Sequence, residues 1–146
     1  MRYLGLDLGT KTLGISISDK TGIIATSLTT IRHDDDFNYL TKELKKIIEE
    51  REVDVLVLGL PKNMNGTIGE RGETTIKFKE KLEKELNKKV ILEDERLTTR
   101  IAENILIKSD ISRKKRKKVI DKMSATVILQ ELIHRLITSH YIFLSA

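Results

Sequence analysis

Three carboxylates define the chemistry open to this sequence. Asp7 sits in the run Tyr3-Leu-Gly-Leu-Asp-Leu8, where Leu4, Leu6 and Leu8 share one face of a strand and Asp7 stands on the other. Gly5 and Gly9 flank it on that face, so a bulky, charged group can approach the backbone there. Glu95 lies just beyond a short apolar run, Val90-Ile-Leu92. Asp121 precedes Ala125, Ile128 and Leu132 by four, seven and eleven residues, which puts it on the apolar stripe of a helix. Taken singly, each acid reads most simply as an exposed residue or a salt-bridge partner. Taken together, at the ends of elements facing one sheet, they suit divalent cations. Mg²⁺ or Mn²⁺ accepts hard oxygen ligands from a few carboxylates, water and phosphate oxygens. Two such ions about 4 Å apart stabilise both the attacking water and the leaving oxygen of phosphodiester cleavage. No His, Cys or Ser nucleophile is then required.

The elements that must bring these acids together follow from the patterning. A second alternation, Leu13, Ile15 and Ile17, predicts a hairpin with Gly9-Thr10-Lys11 as its turn. Asp19-Lys-Thr-Gly22 reads as another turn and Ile23 to Thr30 as a third strand. His33-Asp-Asp-Asp36 suits a helix start, and Phe37, Leu40, Leu44, Ile47 and Ile48 keep helical spacing to about Glu52. Val53 to Gly59 is nearly all apolar, as a central strand covered on both faces would be. A loop, Leu60 to Gly69, holds the only proline, and a second helix spans roughly Glu70 to Asn87. The short strand Val90 to Leu92 follows, then a helical pattern from Leu97, and a last helix over about Lys117 to Ile137. The tail Tyr141-Ile-Phe-Leu144 is apolar and has no assigned element. The order β-β-β-α-β-α-β-α-α predicts an α/β fold with a five-stranded mixed sheet, three antiparallel strands and then parallel ones, flanked by helices on both faces. In such sheets the sites form beyond the carboxyl ends of the parallel strands.

A length of 146 residues fits one domain over residues 1–146. Cysteine is absent, which excludes disulfides and thiolate zinc sites. His33, His134 and His140 are too scattered to suggest a metal-binding pair. No signal-peptide pattern and no membrane-spanning apolar run is present, so a cytoplasmic protein is expected. The net charge of +5 is concentrated in Arg113, Lys114, Lys115, Arg116, Lys117 and Lys118, and the rest of the chain is nearly neutral. A block of this kind is the footprint of a phosphate-rich partner, although a solvated charge run with no partner has the same appearance. The few aromatic residues argue against a base-stacking platform.

Four blocks resemble the signature segments of the YqgF (RuvX) family. They are Leu6-Asp-Leu-Gly-Thr-Lys-Thr-Leu-Gly-Ile15, Gly59-Leu-Pro-Lys-Asn-Met-Asn-Gly-Thr67, Asp94-Glu-Arg-Leu-Thr-Thr99 and Lys117-Lys-Val-Ile-Asp-Lys-Met-Ser-Ala125, in the family's order across essentially the whole chain. The resemblance implies an RNase H-like fold related to the RuvC Holliday-junction resolvases. It also implies a nuclease that trims the 5′ end of pre-16S rRNA in ribosome maturation. The family's acidic triad falls on Asp7, Glu95 and Asp121, which would be the metal ligands. Two blocks depart from the common pattern: Lys11-Thr12 stands where Lys-Arg is usual, and Met64-Asn65-Gly66 where Met-Asp-Gly is usual. RuvC-type sites usually offer a fourth carboxylate, and Asp94 has the wrong strand parity to supply it.

Phosphate contacts are expected from Lys11, Arg96, Arg100 and the basic block, and hydrogen bonds to substrate from Asn63 and Asn65 in the loop. The expected partners are precursor rRNA and the ribosomal small-subunit precursor that contains it, with the protein a monomer or a homodimer. Two other readings compete. One is a Holliday junction resolvase on branched DNA, which would need a C2 dimer to cut two strands. The other is a non-catalytic nucleic-acid-binding factor whose acids are structural. Asp7-Leu-Gly-Thr10 is also similar to the phosphate loop of actin-like and sugar-kinase ATPases, but those need two such domains to form a cleft.

Overall fold

The opening alternation folds as strand β1 (Tyr3–Leu8), which pairs antiparallel with β2 (Thr12–Ser18), and β2 pairs antiparallel with β3 (Ala25–Arg32). A bulge between Ile15 and Ser16 interrupts the β2–β3 register. Helix α1 (Phe37–Arg51) starts where the Asp36 carboxylate accepts the Tyr39 N–H, and ends at Glu52 in the left-handed conformation. Strand β4 (Val55–Leu60), helix α2 (Glu70–Leu86) and strand β5 (Lys89–Asp94) follow. This computed structural model describes residues 1–94, 112, 114–115 and 126–133.

The sheet order is β3-β2-β1-β4-β5, with β1–β4 and β4–β5 parallel. All six residues of β4 are buried, in keeping with its unbroken apolar run and its place near the middle of the sheet. One face carries Leu4, Leu6, Leu13, Leu56 and Leu58, packed against Leu40 and Leu44 of α1 and Phe78 and Leu82 of α2. The other face is covered by a helical segment at 126–133, whose Ile128, Leu129, Leu132 and Ile133 pack on Val57, Tyr3 and Ile91. Helices thus lie on both faces, as the sequence order requires. Apolar burial on both sides of β1 and β4, at about 25 cal/mol per Å², fixes these two strands in place.

Two details set the geometry near the sheet's carboxyl edge. At Gly72 a Cβ would lie 2.6 Å from Ile68 Cγ2 and 2.9 Å from the Pro61 carbonyl, so only glycine lets α2 approach the preceding loop this closely. The third strand begins at Ala25 and not at Ile23. Asp19 accepts the backbone N–H groups of Ile23 (2.9 Å) and Ile24 (3.1 Å), and Gly22 adopts φ +74°, which draws the two isoleucines into the turn. They remain 53% and 60% exposed, and their β-branched character suggested a strand that the Asp19 turn prevents. Gln130 ties this turn to the covering helix. Its amide accepts the Ala25 N–H and donates to the Ile23 carbonyl, each at 3.0 Å.

The hydrogen bonds into Asp19, first from the Thr21 hydroxyl and then from the Ile24 and Ile23 N–H groups, lower its pKa from 3.8 to about 2. A depressed carboxylate contributes stability that is fully present above pH 3.8 and is lost as the pH falls towards 2. In urea titrations, Asp19→Asn should be less stable than wild type at pH 7, and the difference should shrink across that acid window.

Candidate active site

Asp7 lies one residue from the end of β1, half-buried, on the face that carries Tyr3 and the covering helix. The register explains why a charge is tolerated there. On one side Asp7 pairs with Gly14 of β2. On the other, the β1–β4 register reaches Leu6 and Leu58, so the next residue across from Asp7 is Gly59. Gly5 and Gly9 precede and follow it on the same face. With glycine on four sides, the carboxylate stands in a hollow of the sheet. A cavity of about 280 Å³ opens beside it, lined by Asp7, Lys11, Gly14 and Thr30 among others. Gly59 in turn pairs with Glu93, which shares the Asp7 face and is only 4% exposed. A second carboxylate thus lies in the same cross-strand row, with glycine between.

The turn after Asp7 is held from two directions. Arg71, in the first turn of α2, donates from Nη2 to the Leu8 carbonyl at 3.0 Å. His33 is 3% exposed and meets the Gly9 carbonyl through Nε2 at 2.9 Å. Its Nδ1 accepts the Asp35 N–H at 2.8 Å, which puts the ring proton on Nε2, facing Gly9. The ring stacks on Phe37, with centroids 5.7 Å apart. The His33 N–H also donates to the Lys11 carbonyl at 2.9 Å, closing the opposite limb of the turn. Two successive carbonyls after Asp7 therefore have fixed donors from distant elements, which pre-organises the end of β1.

The expected site residues divide in four. Asp7 and Lys11 meet at one cavity. Asn63 and Asn65 lie in the loop, exposed, and are engaged with Thr67. Asn63 Nδ2 donates to the Thr67 hydroxyl (3.0 Å), and Asn65 Oδ1 accepts that hydroxyl (2.6 Å) and the Thr67 N–H (3.1 Å). These contacts shape the loop. Lys114 and Lys115 are exposed and helical. Glu95, Arg96, Arg100, Arg113, Arg116, Lys117, Lys118 and Asp121 lie outside the described residues. Asp94, of opposite parity to Glu93, has its carboxylate 3.9 Å from Lys62. Sequence patterning missed His33, Arg71 and Glu93. The first two act through backbone carbonyls 24 and 63 residues away, which no local pattern signals.

Among the described residues, no three His, Asp or Glu side chains group as a metal site. The donor chemistry at Asp7 still suits a hard cation: an oxygen ligand at a strand end, in a hollow lined by glycine, with open volume beside it.

The RuvX family model, described as Holliday junction resolvase, matches residues 1–135. A relative from Geobacillus sp. (strain WCH70), named "Putative pre-16S rRNA nuclease", is 55% identical over 134 residues, covering 91% of this chain and 97% of the relative. The Bacillus subtilis (strain 168) protein of the same name is 53% identical over 131 residues, covering 89% and 95%. Among solved structures, Thermus thermophilus RuvC in complex with a Holliday junction substrate matches with TM-score 0.57 at 10% identity, covering 94% of this chain and 96% of that one. At that identity the likeness is one of fold.

Replacing His33 by Ala removes the donor to Gly9, the acceptor for Asp35 and the stack on Phe37. The expected loss is about 2–3 kcal/mol, read as a lower urea midpoint at unchanged slope.

Proposed function

This chain belongs to the RuvX family, and we propose that it is a metal-dependent nuclease that hydrolyses phosphodiester bonds in structured RNA, processing the 5′ end of precursor 16S rRNA. The observation that carries the reading is Asp7 itself: a carboxylate fixed at the carboxyl end of a central strand, in a glycine-lined hollow with Lys11 at its cavity. The substrate follows from the named relatives, which are more than half identical over nine-tenths of the chain or close to it.

In this reading Asp7, Glu95 and Asp121 hold Mg²⁺ or Mn²⁺. Strand parity and helix stripe support the second and third of these. By sequence spacing alone, Glu95 falls two residues after Glu93 and four after Ile91, which are on the Asp7 face, and Asp121 falls seven and eleven residues before Ile128 and Leu132, which are buried against that face. When bound, the ions supply Lewis acidity and an activated water. The chain's own residues do the rest. Glycines at positions 9, 14 and 59 leave room for a phosphate to approach Asp7, and Lys11 offsets its charge. The Arg71 and His33 bonds keep the Leu8 and Gly9 carbonyls from drifting as the substrate binds. The basic block, including the exposed Lys114 and Lys115, lies along the sugar-phosphate backbone and gives affinity with little base preference.

The test is cleavage of precursor rRNA and four-way DNA side by side, with Mg²⁺ and with Mn²⁺. Wild type should cut the precursor at one 5′ position, and Asp7→Asn should lower the rate roughly a thousandfold, about 4 kcal/mol of lost transition-state stabilisation. Preferential cutting of the DNA junction would make the protein a resolvase. Intact cleavage by Asp7→Asn would remove the acid from the mechanism and leave a binding factor. Replacing Lys114 and Lys115 together by Gln should reduce the slope of log affinity against log salt by roughly 1–2, with little change in which site is cut.

A further inference from the structure

Three depressions on this surface run into one another. The Asp7 cavity shares Gly9 and Thr10 with a larger pocket of about 420 Å³ on the other side of the turn. That pocket shares Phe37 and Thr74 with a shallower groove of about 180 Å³ between α1 and α2. The path passes from Asp7, over the Gly9–Thr10 turn, and along the first turns of the two helices. Only the Asp7 end is used by the chemistry described above.

The path carries charges of both signs, with a cation at each stage beyond the turn. Arg71 lines the middle pocket beside Asp35 and Glu70, and Lys77 and Lys81 line the far groove, where Lys81 also pairs with Glu85 at 3.0 Å. Arg71 is held in place because Nη2 is bonded to the Leu8 carbonyl, while a guanidinium has four other N–H donors to offer a phosphate. Lys81 is similarly held by Asn38, whose Oδ1 accepts from Nζ at 2.7 Å. The path also carries an apolar wall. Phe37 is half-buried, stacks on His33, and lies 5.6 Å from Phe78 at a tilt of 45°, so one ring fixed by two others borders both depressions. Asp35 and Glu70 at the middle pocket are acceptors that suit sugar hydroxyls or base amino groups and would oppose a phosphate at their own positions. Fixed cations, one aromatic face and acceptors along a continuous channel match a single strand of nucleic acid, with phosphates and bases alternating along it. A duplex is too wide to follow a turn of this size.

We propose that the channel from Gly9–Thr10 to the α1–α2 groove binds a single-stranded flank of the substrate, two or so nucleotides long. Arg71 takes a phosphate and the Phe37 ring packs against one base. This rests on the nuclease reading and adds to it the statement that cleavage occurs next to an unpaired segment. It is one stacking position, consistent with the scarcity of aromatic residues.

The experiment measures binding without cleavage. A fluorescein-labelled RNA hairpin with a four-nucleotide 3′ or 5′ overhang, and the same hairpin blunt-ended, are titrated in EDTA with wild type, Arg71→Gln, Thr74→Glu and Asp7→Asn. Thr74 is exposed, so a carboxylate at that position introduces repulsion without removing any packed group. Wild type should prefer one overhang hairpin over the blunt one. Thr74→Glu should weaken overhang binding about tenfold and leave blunt binding unchanged, as opposition to one charged contact implies, and Arg71→Gln, which also frees the Leu8 carbonyl, should weaken overhang binding by at least as much. Asp7→Asn should bind both at least as tightly as wild type. Equal affinity for blunt and overhang hairpins, or an unchanged overhang affinity in Thr74→Glu with its thermal midpoint intact, overturns the channel. Neither result bears on the nuclease reading, which stands or falls on the Asp7→Asn cleavage rate.

Discussion

A carboxylate on the inner part of a sheet must keep its hydration or find hydrogen-bond donors or a cation, because desolvating it alone costs several kcal/mol. Asp7 faces that constraint between two packed layers, and the strand pairing resolves it with absent side chains. Gly14 and Gly59 lie beside it on the neighbouring strands, and Gly5 and Gly9 lie before and after it. Elsewhere on this face, the rows that hold Tyr3, Val57 and Ile91 are sealed by the helix at 126–133. The hollow around Asp7 is therefore local, edged by glycine and by Lys11, Thr12 and Thr30, and the packed apolar rows beyond it do not need it open. Packing density fixes where the acid stands, and the glycines keep the space beside it open.

The rest of the site depends on keeping that strand end still. A hairpin turn at a sheet edge would ordinarily be among the most mobile parts of a domain. Here Arg71 and His33 bind successive carbonyls, and the His33 backbone closes the turn from its other limb. Each donor comes from an element anchored in the main core, α2 through Phe78 and Leu82 and the β3–α1 connection through Phe37. The same side chains that hold the turn also line the channel beyond it. Holding the acid and guiding the substrate are in this way two uses of one set of contacts.

Much of this was legible in the sequence because it rests on short-range pattern. Strand alternation from Tyr3 to Gly9 put Asp7 on the face opposite the leucines, and the apolar run from Val53 to Gly59 marked a central strand. Signals that depend on a turn's own hydrogen bonds were harder to read. Ile23 and Ile24 have strand character, and only the Asp19 carboxylate, which binds their N–H groups, keeps them out of β3. That Thr67 engages both loop asparagines is likewise invisible in the sequence. His33 read as the approach to a helix, since its partner at Gly9 is reached only through the fold. Glu93 went unremarked because an acid next to two other acids carries no periodic signal, whereas its pairing with Gly59 places it in the row of Asp7.

The missing side chain at position 72 has a wider effect than the fit it allows. Ile68 Cγ2 and the Pro61 carbonyl occupy the space that a Cβ would need, 2.6 and 2.9 Å from its ideal position. Any larger residue at 72 would have to push the Pro61–Ile68 stretch and the front of α2 apart. Arg71, the next residue back along the helix, holds the carbonyl of the residue that follows Asp7. A methyl group added at a position remote from the acid would therefore be felt beside the contact that steadies its strand.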